Sequence, residues 1–196
     1  MKKETLKRIF EFLAEKEQQN PPFIWKIKNN IPFTKEELNV KGDLDLRYIE
    51  INSLPEGLKV GGNLDLDWSN IISLPEGLEV GGDLQLRNCE NLKSLPKGLK
   101  VGGDLDLRYS KIITSLPEGL KVVGNLDLYN TEIKSLPKGL EVGGGLDLRV
   151  TNIKSLPQGL KVGGNLYINA TPLTKYSDNE LREMIKPGFI KGKIAR

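Results

Sequence analysis

One phrase, Ser-Leu-Pro-x-Gly-Leu-x-Val-x-Gly-x-Leu-x-Leu, recurs six times with small variations, starting at Ser53, Ser73, Ser94, Ser115, Ser135 and Ser155. The first leucine of each Leu-x-Leu pair falls at Leu44, Leu64, Leu84, Leu105, Leu126, Leu146 and Leu166, at intervals of 20 or 21 residues. A copy this short cannot enclose a core alone, so its apolar face is buried by stacking copies into a solenoid. Such an array grows by layers and needs no second core, which makes the 196 residues one domain.

In Leu64-Asp65-Leu66 and its equivalents, alternation sends both leucines to one side of a short strand and the middle residue to the other. Proline has no N–H to give to a ladder. The return path through Pro55, Pro75, Pro96, Pro117, Pro137 and Pro157 is therefore expected to run extended and polyproline-like, leaving only the Leu-x-Leu side to pair between layers. The Gly-Gly pairs at 61–62, 81–82, 102–103, 143–144 and 163–164 mark the re-entry into each strand, where positive φ or close backbone approach favours glycine; Val123-Gly124 is the variant. Each turn is expected to bury about six apolar residues, such as Leu64, Leu66, Ile71, Leu74, Leu78 and Val80, each contributing roughly 1.5–3 kcal/mol.

The frame Leu-x-Leu-x-x-(Asn/Cys/Thr)-x-Leu, read seven times over residues 38–173, resembles the leucine-rich repeat family, and the Leu-Pro pairs with a twenty-residue period resemble its short bacterial and bacteriophage arrays. That resemblance implies an α/β leucine-rich repeat solenoid. It would form a right-handed horseshoe arc with one concave parallel sheet of about seven short strands and a polyproline-like convex side. It also implies protein binding on the concave face and no reaction. The family's bridging Asn is replaced by Ile49, Ser69, Cys89, Ser110, Thr131, Thr151 and Thr171, whose hydroxyls and thiol are expected to form a weaker ladder. Residues 1–37 are expected to form an N-terminal helical cap, with Leu6, Ile9, Phe10 and Leu13 at helical spacing over Glu4 to Glu17. Residues 174–196 are expected to form a C-terminal cap, with a capping box at Ser177 and Glu180 opening a short helix and a tail ending the chain.

Read as columns, the strands carry Asp45, Asp65, Gln85, Asp106, Asp127, Asp147 and Tyr167 between the leucines, and Arg47, Asp67, Arg87, Arg108, Tyr129, Arg149 and Asn169 after them. A third column, Asp43, Asn63, Asp83, Asp104, Asn125, Gly145 and Asn165, precedes them. Equivalent residues on stacked strands lie about 4.8 Å apart, so these columns form a self-neutralising ion-pair lattice, a charge-patterned contact surface, or both at once. One step further on stand Tyr48, Trp68, Asn88, Tyr109, Asn130, Val150 and Ala170. Aromatic residues beside arginines compose interface hot spots, unless these rings only cover their own core. Trp68 flanked by Tyr48, Arg47 and Arg87 is the expected docking centre, to be tested by Trp68→Ala with Arg87→Glu.

Histidine is absent and Cys89 is the lone cysteine, which excludes disulfides, Cys/His zinc sites and imidazole bases, and points to a reducing, cytoplasmic setting. The first twenty residues lack the unbroken apolar run of a secretion signal, and no stretch approaches the ~20 apolar residues of a membrane span. The net charge of +3 shows no basic stripe for a duplex. The Asp rows have the wrong period for calcium-binding nonapeptides, and Gly-Gly turns between strands do not make a phosphate loop. No cofactor and no membrane are expected. The leading expectation is a monomeric, non-enzymatic module that binds another protein. Alternatives are a phage-borne inhibitor or decoy of a bacterial host protein acting by nucleic-acid mimicry, a nucleic-acid-binding surface, and a structural spacer.

Overall fold

The computed structural model describes residues 22–196; the helix expected over Glu4 to Glu17 lies outside them. Each 20–21-residue turn holds two short strands rather than one. The Leu-x steps give β2 (Leu44–Asp45), β4 (Leu64–Asp65), β6 (Leu84–Gln85), β8 (Leu105–Asp106), β10 (Leu126–Asp127), β12 (Leu146–Asp147) and β14 (Leu166–Tyr167), and β16 (Ile194–Ala195) completes this parallel sheet. The x-Val steps give β1 (Asn39–Val40), β3 (Lys59–Val60), β5 (Glu79–Val80), β7 (Lys100–Val101), β9 (Lys121–Val122), β11 (Glu141–Val142) and β13 (Lys161–Val162), and β15 (Phe189–Ile190) completes a second one. Register is in phase throughout, as in Leu64 against Leu84 and Val60 against Val80.

The expectation of a single seven-stranded sheet is therefore corrected to two eight-stranded parallel sheets, here called the aspartate sheet and the lysine sheet. The physical reason is the short corner. Only three residues separate Val60 from Leu64, so both flanking segments stay stacked on their counterparts in the next turn, and neither contains a proline to interrupt the ladder. The proline-bearing arc is a smaller part of the return path than expected; among the described residues it forms one isolated bridge, Ser53–Ser73, and scattered bonds between turns such as Gly77 N–H to the Lys97 carbonyl at 3.1 Å.

Close approach, not positive φ, explains the glycine pairs. A Cβ on Gly81 would overlap the Gly61 carbonyl oxygen, and one on Gly82 would overlap Asn63 Oδ1. Left-handed glycines sit instead in the Pro-x-Gly turns, from Gly57 to Gly159, with φ between 66° and 78°. Val123 breaks the rule at a visible cost: its N–H lies 3.4 Å from the Val101 carbonyl oxygen, whereas Gly81 and Gly143 make the equivalent bond at 2.7 and 2.9 Å.

Between the sheets runs one continuous apolar core, in which Leu64, Leu66, Ile71, Leu74, Leu78, Val80 and their counterparts in later turns are buried. At the first turns lies α1 (Phe23–Asn29), whose Phe23, Ile24 and Ile27 pack on that core while Lys26 forms an ion pair with Glu37. At the other end Ser177 and Glu180 form a reciprocal capping box that opens α2 (Asp178–Met184). The Arg182 guanidinium on α2 donates to the carbonyls of Ile190 and Gly192 in the last turn.

Candidate interaction surface

The aspartate sheet presents its columns as three separate bonding systems. In the first, the side-chain oxygen of one turn accepts the backbone N–H of the next: Asp43 from Asn63, Asn63 from Asp83, Asp83 from Asp104, Asp104 from Asn125, and Asn125 from Gly145, all at 2.6–2.7 Å. Asn165 resumes the series with Lys193 at 2.9 Å, so only Gly145 leaves it empty. This is the inter-turn ladder that was expected of the hydroxyl column. That column bridges turns only around Cys89, whose N–H bonds Ser110 Oγ and whose thiol lies 3.2 Å from the Leu66 carbonyl. Thr131, Thr151 and Thr171 turn back to carbonyls three residues earlier in their own turns. The signal for the true ladder was present in the sequence as a position restricted, apart from Gly145, to Asp and Asn, two residues that share a short oxygen acceptor.

The second system is an ion-pair lattice. Arg47, Arg108 and Arg149 each grip the aspartate of their own turn, Asp45, Asp106 and Asp147, through Nε and a terminal nitrogen. Arg47 and Arg108 also reach Asp65 and Asp127 in the following turns at 3.5 and 3.4 Å. Arg87 Nε lies 2.8 Å from buried Asp67, an electrostatic contact without hydrogen-bond angles, while its terminal nitrogen bonds Gln85. The Arg47 side chain holds the Asp45 carboxyl down at about 2, whereas burial raises that of Asp67. Because Arg87 is the counter-ion of a buried carboxylate, Arg87→Glu would disturb the fold along with the surface, and Trp68 must be tested without it.

Third comes the left-handed column. Tyr48, Trp68, Asn88, Tyr109, Asn130, Val150 and Ala170 all have φ between 53° and 63°. Asn tolerates this conformation, while bulky and β-branched residues rarely adopt it. The rings nevertheless stand outward: Tyr48 is 71% exposed, Trp68 54% and Tyr109 41%. Tyr48 and Trp68 sit on adjacent turns, and Trp68 N–H donates to the Arg87 carbonyl.

Toward the C-terminal half, Tyr109 meets Tyr129 edge-on at 5.4 Å, and the Arg149 guanidinium lies between the rings of Tyr129 and Tyr167, at 5.3 and 5.6 Å. Below them opens a groove of about 410 Å³ lined by residues that include Asp106, Asp127, Asp147 and Gly145. The Asp127 carboxyl in it is pushed up to about 6, mainly by burial and further by Asp147 and Asp106, against the lowering effect of its bond from Tyr129 N–H and of Arg108. This groove and the Tyr48–Trp68 pair belong to different turns of one face. Among the described residues no group of His, Cys, Asp and Glu is arranged to hold a metal ion, and no helix is long and apolar enough to cross a membrane.

The chain matches no protein-family model and no curated protein. The geometry alone makes it a repeat solenoid of about twenty-residue turns with parallel strands.

Proposed function

We propose that this chain is a non-enzymatic protein-binding module of the leucine-rich repeat kind, which docks a partner on the aspartate sheet and the aromatic residues at its margin. One observation carries this proposal: large rings are kept outward at left-handed positions where asparagine would cost less. A strained residue that is retained although a relaxed one stands in the same column of the same molecule, as Asn88 does, points to a use for its side chain. Exposed Trp and Tyr beside arginines supply the large, stiff contact area typical of hot spots. The Leu-x-Leu frame, with each leucine pair facing the core, supports membership of the repeat family, and the unpaired, buried Cys89 supports a cytoplasmic setting.

The test is the double variant Tyr48→Asn/Trp68→Asn. Asparagine relieves the backbone, so the variant is expected to be more stable than the wild type by about 1 kcal/mol per site. Capture of partner proteins from a host lysate, identified by mass spectrometry, is expected to fail for the variant. Equal capture by both proteins would overturn the assignment of the face.

A further inference from the structure

We propose that the lysine sheet is a second docking surface, on which a protein partner lays an extended acidic segment, with one carboxylate between Lys100 and Lys121 and apolar side chains in the grooves on either side of Val123. This goes beyond the function proposed above, which concerns the aspartate sheet, and stands or falls separately from it.

Two departures from regularity meet in the same turn. The outward column of the lysine sheet reads Lys59, Glu79, Lys100, Lys121, Glu141 and Lys161 in register. Each glutamate holds the lysines on both its sides: Glu79 those of Lys59 and Lys100 at 2.9 and 2.7 Å, Glu141 those of Lys121 and Lys161 at 3.3 and 3.0 Å. Within this column Lys100 and Lys121 alone face each other with like charge, an arrangement that destabilises stacked strands. The chain itself shows what a carboxylate between two such lysines experiences, because Lys100 and Lys59 hold that of Glu79 down at about 2.

The second departure is Val123. It stands two residues after Lys121 and on the same outer side, since Val122 between them is buried. The turns around it have Gly61, Gly81, Gly102, Gly143 and Gly163 at this position. Valine stretches the ladder bond there to 3.4 Å and leaves its own side chain 68% exposed, so neither the backbone nor the core gains from it. What it does make is a ridge between two open grooves, of about 490 Å³ toward the earlier turns and 340 Å³ toward the later ones, both lined by Lys121 and Val123. Lys100 and Leu99 complete the first groove, and Lys161, Lys191 and Phe189 the second.

These features choose the occupant. A carboxylate over the gap between Lys100 and Lys121 restores the alternation of sign that the rest of the column keeps. Glu79 and Glu141 stand three strand steps apart, ~14 Å, so a uniformly anionic surface such as a lipid headgroup layer meets their repulsion together with the attraction of the lysines. A peptide sets a single carboxylate between them. Side chains two residues to either side of it project the same way from an extended chain, ~6.6 Å off, which suits aliphatic groups entering the two grooves.

Titration of isotope-labelled protein with the terminally blocked pentapeptide Leu-Gly-Glu-Gly-Leu, followed by amide chemical shifts, tests this. Shifts are expected at Lys100, Lys121 and Val123 and not on the aspartate sheet. The peptides Leu-Gly-Gln-Gly-Leu and Gly-Gly-Glu-Gly-Gly are each expected to bind about tenfold more weakly. Lys121→Gln is expected to weaken the first peptide about tenfold and Val123→Gly about fivefold; the latter restores the residue of the neighbouring turns and so keeps the fold. Lys138→Gln, exposed on the proline arc, changes the net charge equally and is expected to leave binding unchanged. Wild-type affinity in both lysine-sheet variants, or no shift at those three residues, would overturn the site. Equal binding of the glutamine peptide would overturn the carboxylate assignment. Binding to phosphatidylserine vesicles that both variants abolish, without binding of the peptide, would overturn the peptide as occupant. Lysate capture by Tyr48→Asn/Trp68→Asn reports separately on the aspartate sheet, so one failure is not mistaken for the other.

Discussion

At Asp127 the proton is held by neighbours that crowd it with negative charge and partly exclude water. Its pKa is near 6 when folded and close to the ordinary 3.8 when unfolded, so between those values the folded chain binds the extra proton. Stability must then fall as the pH rises through that window, and above it the ionised carboxylate is a standing cost. Asp127→Asn keeps an oxygen for the Tyr129 N–H and removes the charge. It is expected to raise stability by about 1 kcal/mol at pH 7.5, discounted for solvent screening, a shift of roughly 2–4 °C that vanishes near pH 4 in thermal unfolding. Burial acts in the same direction at Cys89. Desolvation pushes its thiol up to about 12, so iodoacetamide is expected to modify it at the rate of unfolding and no faster. The sequence marked Cys89 by its solitude, and it showed Tyr129 interrupting the arginine column two residues after Asp127. It could not show the protonation of Asp127, which depends on which arginines in adjacent turns are already engaged.

Within a turn, two features decide whether the next one stacks: the glycine corner and the Asp/Asn ladder. Gly103→Ala would drive a Cβ into Asp83 Oδ1 and the Gly82 backbone, and is expected to cost about 1–3 kcal/mol in urea unfolding. Asp104→Ala removes the acceptor for Asn125 N–H and is expected to cost about 1 kcal/mol by the same measurement. The leucine strands were legible because Leu-x-Leu alternates. The lysine sheet was not, because each of its repeat strands offers a single inward valine and reads as a polar step before Gly-Gly. Its pairing follows from the corner length, which brings Lys59–Val60 over Glu79–Val80 once the leucines have stacked. The left-handed column was equally hidden, since Tyr, Trp and Val give no sign of positive φ.

Seen whole, the molecule divides its charge between faces that a net value of +3 conceals. The lysine sheet carries Lys59, Lys100, Lys121 and Lys161 sharing Glu79 and Glu141, in pairs of 2.7–3.3 Å. Its last strands are held by Arg182, whose guanidinium occupies carbonyls that a further strand could use. Arg182→Ala is expected to speed amide hydrogen exchange across residues 189–195 while leaving the middle turns protected, because each layer contacts only its neighbours. The Asp/Asn ladder also gives the array a direction. Every oxygen in it belongs to the earlier turn and every amide to the later one. A ribosome makes the chain in that same order, so each emerging turn meets acceptors already in place and is templated by what came before it.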